Sequence, residues 1–263
     1  IPHLVPLIPS GNRTLLEFYE AGGVPVLMKE LESILWVQEK NCQGKILREV
    51  LEKVQNFYPE VIHSIENPVH TRGGIKILYG NLAPEGAVSK PSAIPDKALV
   101  FRGKAKIYEG EEEALKGIRR GDVQEGTVIV IRNEGPKGGP GMPEMYKAMK
   151  LLVGMHLGDK VCLITDGRFS GSNNGCFVGH ISPEAAQNGP IAYLEDGDEI
   201  FVDISRGLIE AADVDFEERR KKKKPFVREV KGCLYQYAQN VKSASQGAMI
   251  PNRREYDREE ENR

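Results

Sequence analysis

Between residues 134 and 144 the chain reads Glu134-Gly-Pro-Lys-Gly-Gly-Pro-Gly-Met-Pro-Glu144, so four glycines and three prolines fall within nine consecutive positions. No helix or strand runs through such a stretch: proline removes the backbone donor, and glycine spends conformational freedom that a regular element would have to freeze. A tight loop with exposed backbone N–H groups is what remains, and groups of that kind suit an anion. The run Thr127-Val-Ile-Val-Ile-Arg132 precedes this loop. A second apolar run, Lys160-Val-Cys-Leu-Ile-Thr165, precedes a second glycine-bearing motif, Thr165-Asp-Gly-Arg-Phe-Ser-Gly171. Both runs read as strands, which puts both loops at the same end of one sheet, where α/β proteins usually place their chemistry.

The remainder divides near residue 72, within Asn67-Pro-Val-His-Thr-Arg-Gly-Gly74. Upstream, amphipathic helices are expected over 14–21, from Pro25 onward (burying Val26, Leu27, Leu31 and Ile34), and over 44–55; so short a segment needs a partner for three apolar stripes. Downstream, strands separated by glycine and proline are expected over 75–79, 98–108, 127–132, 160–165, 175–180, 191–194 and 199–204, with helices over 111–120, 143–157 and 183–187. Ser182 is the expected N-cap of the last helix, and 81–87 reads as a compact turn with Glu85 at its tip. The expected fold class is mixed α/β: a β-rich barrel with flanking helices over 73–249, preceded by a helical segment over 1–72 and followed by a mobile tail over 250–263.

Composition narrows the function. The 263 residues are 40% hydrophobic with a net charge of −2, which gives no general attraction to nucleic acid or an acidic membrane. The lysine run ending at Lys224 follows Glu217 and Glu218 and reads as a solvated helix end. No stretch reaches the roughly 18 apolar residues of a membrane span, and the first residues lack a signal pattern, so the expectation is a cytoplasmic protein. Cys42, Cys162, Cys176 and Cys233 show no C-x-x-C pair or cluster spacing. On that count the chain supplies no iron–sulfur ligands and no disulfide.

Among the candidate sites, Lys137 is followed by glycine, which excludes a nucleotide P-loop, and Gly167 lies three residues before Ser170, which fails the nucleophile-elbow pattern. A serine hydrolase built on Ser170, His180 and Asp166 is therefore a remote rival. Ser170 has Gly167 and Gly171 for a sharp turn and Arg168 as a nearby fixed charge; it is either a cap or a reactive hydroxyl. Glu144 is either a first-turn helix carboxylate or a hard oxygen ligand for Mg²⁺. His180 reads as a packing residue at a strand end.

Taken together, Ala21-Gly-Gly-Val-Pro25, Gly80-Asn-Leu-Ala-Pro-Glu-Gly-Ala-Val88, the 134–142 and 165–171 motifs, Gly179-His-Ile-Ser-Pro-Glu-Ala-Ala186 and Ser243-Ala-Ser-Gln-Gly-Ala248 resemble the dihydroxy-acid dehydratase and phosphogluconate dehydratase family. The resemblance is to a C-terminal half and is nearer the dihydroxy-acid branch. It implies that 1–72 is the end of a cluster-binding α/β domain and 73–249 a swivelling barrel. It also implies dehydration of a 2,3-dihydroxy carboxylic acid to a 2-keto acid, as in branched-chain amino acid biosynthesis, by a complete protein holding Mg²⁺ and an iron–sulfur cluster. In that family's terms Ser170 is the base and Glu144 completes the Mg²⁺ shell. Apart from the resemblance, the residues themselves make Lys137, Gly138, Gly139 and Gly141, with Arg168, the expected substrate-binding set. The chain alone is expected to be inactive; its expected partners are a missing N-terminal half or a separate cluster-bearing subunit, and a second copy of itself. Gly171-Ser-Asn-Asn-Gly175 and Asn41-Cys-Gln-Gly44 depart from the family's pattern, which leaves a sugar-acid dehydratase and a non-catalytic binding module as alternatives.

Overall fold

The computed structural model describes residues 1–8, 11–169, 175–226 and 228–251. The chain forms two compact units, one ending at Gly74 and the other beginning at Ile75.

In the first unit α1 (Leu15–Glu20) begins at Thr14, whose hydroxyl accepts from the Glu17 N–H while the Glu17 carboxylate accepts from the Thr14 N–H. This reciprocal box satisfies two donors that a helix start otherwise leaves open. Helix α2 (Gly23–Glu30) follows, and α3 (Leu47–Leu51) is five residues long rather than the twelve expected over 44–55. The shortening has a local cause: the Asn41 side chain accepts from the N–H groups of Gln43 and Lys45, and Gly44 adopts φ 75°, so a turn takes the place of the first helical residues. Phe18, Ala21, Val26, Val61 and Ile62 form a small core. Ile34, expected inside, is exposed, as are Leu15, Leu16, Tyr19, Trp36 and Phe57.

The second unit is a closed eight-stranded barrel. In chain order its elements are β1 (Lys76–Gly80), β2 (Ala83–Ser89), β3 (Val100–Tyr108), α4 (Glu111–Arg120), β4 (Thr127–Ile131), β5 (Glu144–Met145), α5 (Lys147–Gly154) and β6 (Cys162–Thr165). They continue with β7 (Arg168–Phe169), β8 (Cys176–Ser182), β9 (Glu199–Asp203), β10 (Leu208–Ala211), α6 (Phe216–Lys222) and α7 (Cys233–Asn240). The barrel order is β1-β10-β9-β3-β4-β6-β8-β2, while β5 and β7 make a separate two-stranded ribbon. Strands β3, β4, β6 and β8 run parallel to one another. The two-residue period shows in β4, where Val128 and Val130 join one core with Ile164, Val178 and Val202. Ile129 and Ile131 join another with Ala114, Ile118, Ala148 and Leu152 of the covering helices α4 and α5.

Several expected elements differ. Residues 190–193 form a 3-10 turn, not a strand: Pro190 has no N–H to give a ladder, and the Arg132 guanidinium collects the carbonyls of Ile191, Ala192 and Leu194. The expected turn at 81–87 contracts to Asn81-Leu82, and Ala83 onward is the strand β2, bulged at Gly86. Ser182 ends β8 and donates its hydroxyl to the His180 carbonyl; it caps nothing, and 185–187 is a short 3-10 turn. Strand β10 and helix α7 were not expected. No helix among the described residues is long and apolar enough to cross a membrane.

Candidate functional site

Because β4, β6 and β8 are parallel neighbours, the segments that follow them meet at one end of the barrel. Two buried carboxylates tie these segments together. Asp166, just beyond β6, is wholly buried and accepts from the N–H groups of Asn133 (3.1 Å), Glu134 (2.9 Å) and Ala185 (2.9 Å). Glu184, just beyond β8 and the cis Ser182-Pro183 bond, is also buried. It accepts from Lys137 N–H, with both oxygens at 3.0 Å, and from Gly138 N–H at 2.9 Å. The anion cradled by the glycine loop is thus the protein's own Glu184. The loop is closed further by Gly139 N–H to the Gly135 carbonyl (2.8 Å) and Met142 N–H to the Gly139 carbonyl (2.7 Å).

The glycines fit this packing. A Cβ on Gly135 would lie 2.6 Å from Glu184 Oε2, one on Gly138 2.9 Å from the Asn133 backbone, and one on Gly139 2.8 Å from that of Glu134. Gly141 instead is needed for its φ of 88°, with open space around it. Asn133 itself adopts φ 63°; its side-chain amide donates to Glu109, while its Oδ1 is buried without a partner among the described residues. Glu134 accepts from the Glu111 N–H at the start of α4 and from Arg228 at 3.1 Å, which pins the residues before α7 to the start of the loop.

Burial pushes the Asp166 carboxyl above the usual carboxylate range despite its three N–H donors. Burial likewise raises Glu184 to about 7; the donors at Gly138 and Lys137 oppose the shift and the nearby Asp166 charge adds to it.

Beyond the loop, the β5–β7 ribbon pairs Glu144 directly with Arg168. Both side chains are exposed, and Arg168 Nε donates to the Met142 carbonyl at 2.8 Å, fixing the end of the glycine loop to the second motif. The Glu144 carboxylate has no hydrogen bond or ion pair among the described residues. Glu144 belongs to this ribbon, and α5 begins three residues later, so the expected first-turn helix position is replaced by a strand pairing. Ser170, the next residue in sequence after the ribbon, lies outside the described residues.

His180 in β8 is partly buried, with its imidazole held below the usual range by burial and by the Arg168 charge. Asp166 spends both oxygens on backbone N–H groups and makes no hydrogen bond to His180, so the two do not form the base-orienting pair a serine hydrolase needs. Cys162 and Cys176 are buried side by side on paired strands, Cys42 and Cys233 are exposed, and no group of three or more His, Cys, Asp or Glu placed to hold a metal occurs among the described residues. Glu184 is not among the site residues expected from the sequence; its signals there are its place in the 179–186 motif and an acid immediately after Ser182-Pro183 at the end of an apolar run.

The fold and site thus define a mixed barrel domain whose parallel strand ends carry a locked glycine loop and an exposed carboxylate–guanidinium ribbon. Residues 60–248 match the family described as dihydroxy-acid/6-phosphogluconate dehydratase, C-terminal. Similarity extends further along the chain. The dihydroxy-acid dehydratase of Aquifex aeolicus is 47% identical over 254 residues, covering 95% of this chain and 46% of that protein. Those of Pyrococcus abyssi and Thermodesulfovibrio yellowstonii are 46% and 44% identical, with the same two coverages. The chain belongs to the dihydroxy-acid/6-phosphogluconate dehydratase family, and it spans about half the length of the curated relatives it matches.

Proposed function

We propose that this chain is the base-bearing C-terminal part of a hydro-lyase that converts a 2,3-dihydroxy carboxylic acid to a 2-keto acid. The observation that carries the reading is the ribbon: it sets Glu144 and Arg168 in register, leaves both exposed, and leads into Ser170 two residues on. The Ser170 hydroxyl, as alkoxide, takes the C2 proton; the C3–O bond then breaks with loss of hydroxide, and the resulting enol tautomerises to the keto acid. Arg168 holds the substrate at the ribbon. Lys137, whose ammonium has no ion-pair partner among the described residues, lines a partly enclosed cavity of about 560 Å³ with Arg228, and holds an acid group there.

A single exposed carboxylate fits one position of a magnesium shell, so Glu144 supplies one oxygen and the remaining ligands come from outside this chain. When bound, Mg²⁺ and an iron–sulfur cluster supply Lewis acidity towards the developing enolate and the departing hydroxide. The cysteines described above form no set that fits the cluster, so its ligands too belong to an N-terminal half or a separate subunit. The swivelling of the barrel over that half, self-association, a cytoplasmic location and a place in branched-chain amino acid synthesis belong to the same reading.

The test uses the complete protein, anaerobic and loaded with Mg²⁺ and cluster, on 2,3-dihydroxy acids of branched-chain and sugar type carrying deuterium at C2. The expected result is keto acid with the C2 deuterium lost to solvent and slowed turnover of the labelled substrate. Absence of keto acid from every substrate, with metal and cluster verified, rejects the proposal.

A further inference from the structure

The glycine loop has the form of an anion cradle, yet two of its N–H groups are already spent on a carboxylate from another strand end. A carboxyl group offers two oxygens and can take several N–H directions at once, as Glu184 does here with three contacts from two N–H groups, whereas the amide of a glutamine keeps one oxygen acceptor. The missing side chain of Gly135 makes room for this carboxyl: a Cβ there would lie 2.6 Å from Glu184 Oε2. The charged groups around it are Lys137 on the loop, Asp166 beyond β6 and, on the far side of Asp166, Glu134 with its partner Arg228. Asp166 holds the first two residues of the loop segment and also takes the N–H of Ala185, so the two carboxylates brace each other through adjacent backbone. The half-buried Lys137 is therefore presented from backbone fixed both before and at its own N–H.

We infer that Glu184 is a positioning residue for the acid-binding loop: by engaging the N–H groups of Lys137 and Gly138 it sets where the Lys137 ammonium meets the substrate's acid group. The inference rests on the function proposed above for its substrate, and its first readout does not depend on turnover.

In the complete protein with no acid added, hydrogen exchange resolved to single amides is expected to show Lys137 and Gly138 protected like the strand amides of β4. Exchange at exposed-loop rates overturns the inference without any mutation. In Glu184→Ala the same two amides are expected to exchange at least about tenfold faster, with β4 unchanged, because both lose the side-chain acceptor they donate to. Glu184→Gln, keeping one acceptor, is expected to fall between. Equal exchange in Glu184→Ala and the parent overturns the inference. With the active protein, KM for the acid is expected to rise more than kcat falls, with partial rescue in Glu184→Gln; an unchanged KM alongside a loosened loop overturns the link to substrate. Absence of turnover in the parent rejects the proposed function and leaves the exchange result standing as evidence about the loop alone.

Discussion

The two halves of the signature stretch are built in opposite ways. From Asn133 to Gly139 nearly everything is buried, and the backbone donors of Asn133, Glu134, Lys137, Gly138 and Gly139 are all taken by partners inside the protein. From Pro143 onward the ribbon shows Glu144 and Arg168 to the outside, and the Glu144 carboxylate is uncommitted among the described residues. On the function proposed above, a single glycine-rich signature divides into a frame and reagents. The density of glycine serves the frame, where close packing excludes a Cβ at Gly135, Gly138 and Gly139, and on the proposed function the chemistry lies with the exposed charged side chains.

Substitutions test that division by moving stability on one side and activity on the other. The largest effect on stability is expected from Asp166→Ala, which strands three buried N–H groups. At about 1–3 kcal/mol for each unsatisfied group, a loss of about 3 kcal/mol or more is expected in chemical denaturation. A loss below about 1 kcal/mol breaks the claim that Asp166 is a brace.

Glu184 gives a pH test of similar size. Its folded-state value of about 7 lies above the ordinary 4.5, so between those pH values the folded chain binds more protons than the unfolded one. The stability that this group contributes is fully present below about 4.5 and is lost as pH rises through about 7. At roughly 1.4 kcal/mol per pKa unit the loss is on the order of 3 kcal/mol. Denaturant titrations from pH 4.5 to 8 are expected to show this slope, and Glu184→Gln to flatten it; Asp166, shifted in the same direction, remains in the variant.

On the reagent side, Glu144→Gln is expected to lower turnover of the complete protein by about a hundredfold or more, as removal of one anionic metal ligand should. Stability of an exposed position should stay within about 0.5 kcal/mol. A large stability change there would move Glu144 into the frame. Within the frame the smallest loss of stability is expected from Gly135→Ala, about 1–3 kcal/mol, because its methyl would crowd the Glu184 carboxylate at 2.6 Å unless that side chain shifts.

How much of this was legible beforehand follows from the kind of signal each element leaves. Strands β4 and β6 are unbroken β-branched and apolar runs bounded by turn residues, so their existence and the convergence of the two motifs could be read directly. Helix α4 has three acidic residues at its start, two arginines at its end and Gly121 as its left-handed cap, and its span matches the expectation residue for residue. Strand β2 is hidden because Pro84 and Gly86 look like turn residues; the barrel accommodates them where the pairings of β2 with β1 and β8 shift register, with Gly86 lying against the Tyr79 ring. The 190–193 segment failed for the opposite reason. Its apolar residues suggest a strand, but Arg132, some 60 residues away in sequence, claims its carbonyls. Glu184 shows the same limit at the site: a carboxyl that fills the loop from inside is indistinguishable in sequence from a surface acid, because its meaning arises only when the loop after β4 meets the end of β8 across β6.

The most direct test of the account is the turnover of Ser170→Ala in the complete, metal- and cluster-loaded protein, measured as keto-acid formation beside the parent at equal folded concentration. A base supplied by the residue that follows the Arg168–Phe169 ribbon predicts a fall of at least about a thousandfold, or about 4 kcal/mol of barrier, with the unfolding midpoint unchanged. Turnover within about tenfold of the parent would contradict the assignment of the base and, with it, the division between frame and reagents at this end of the barrel.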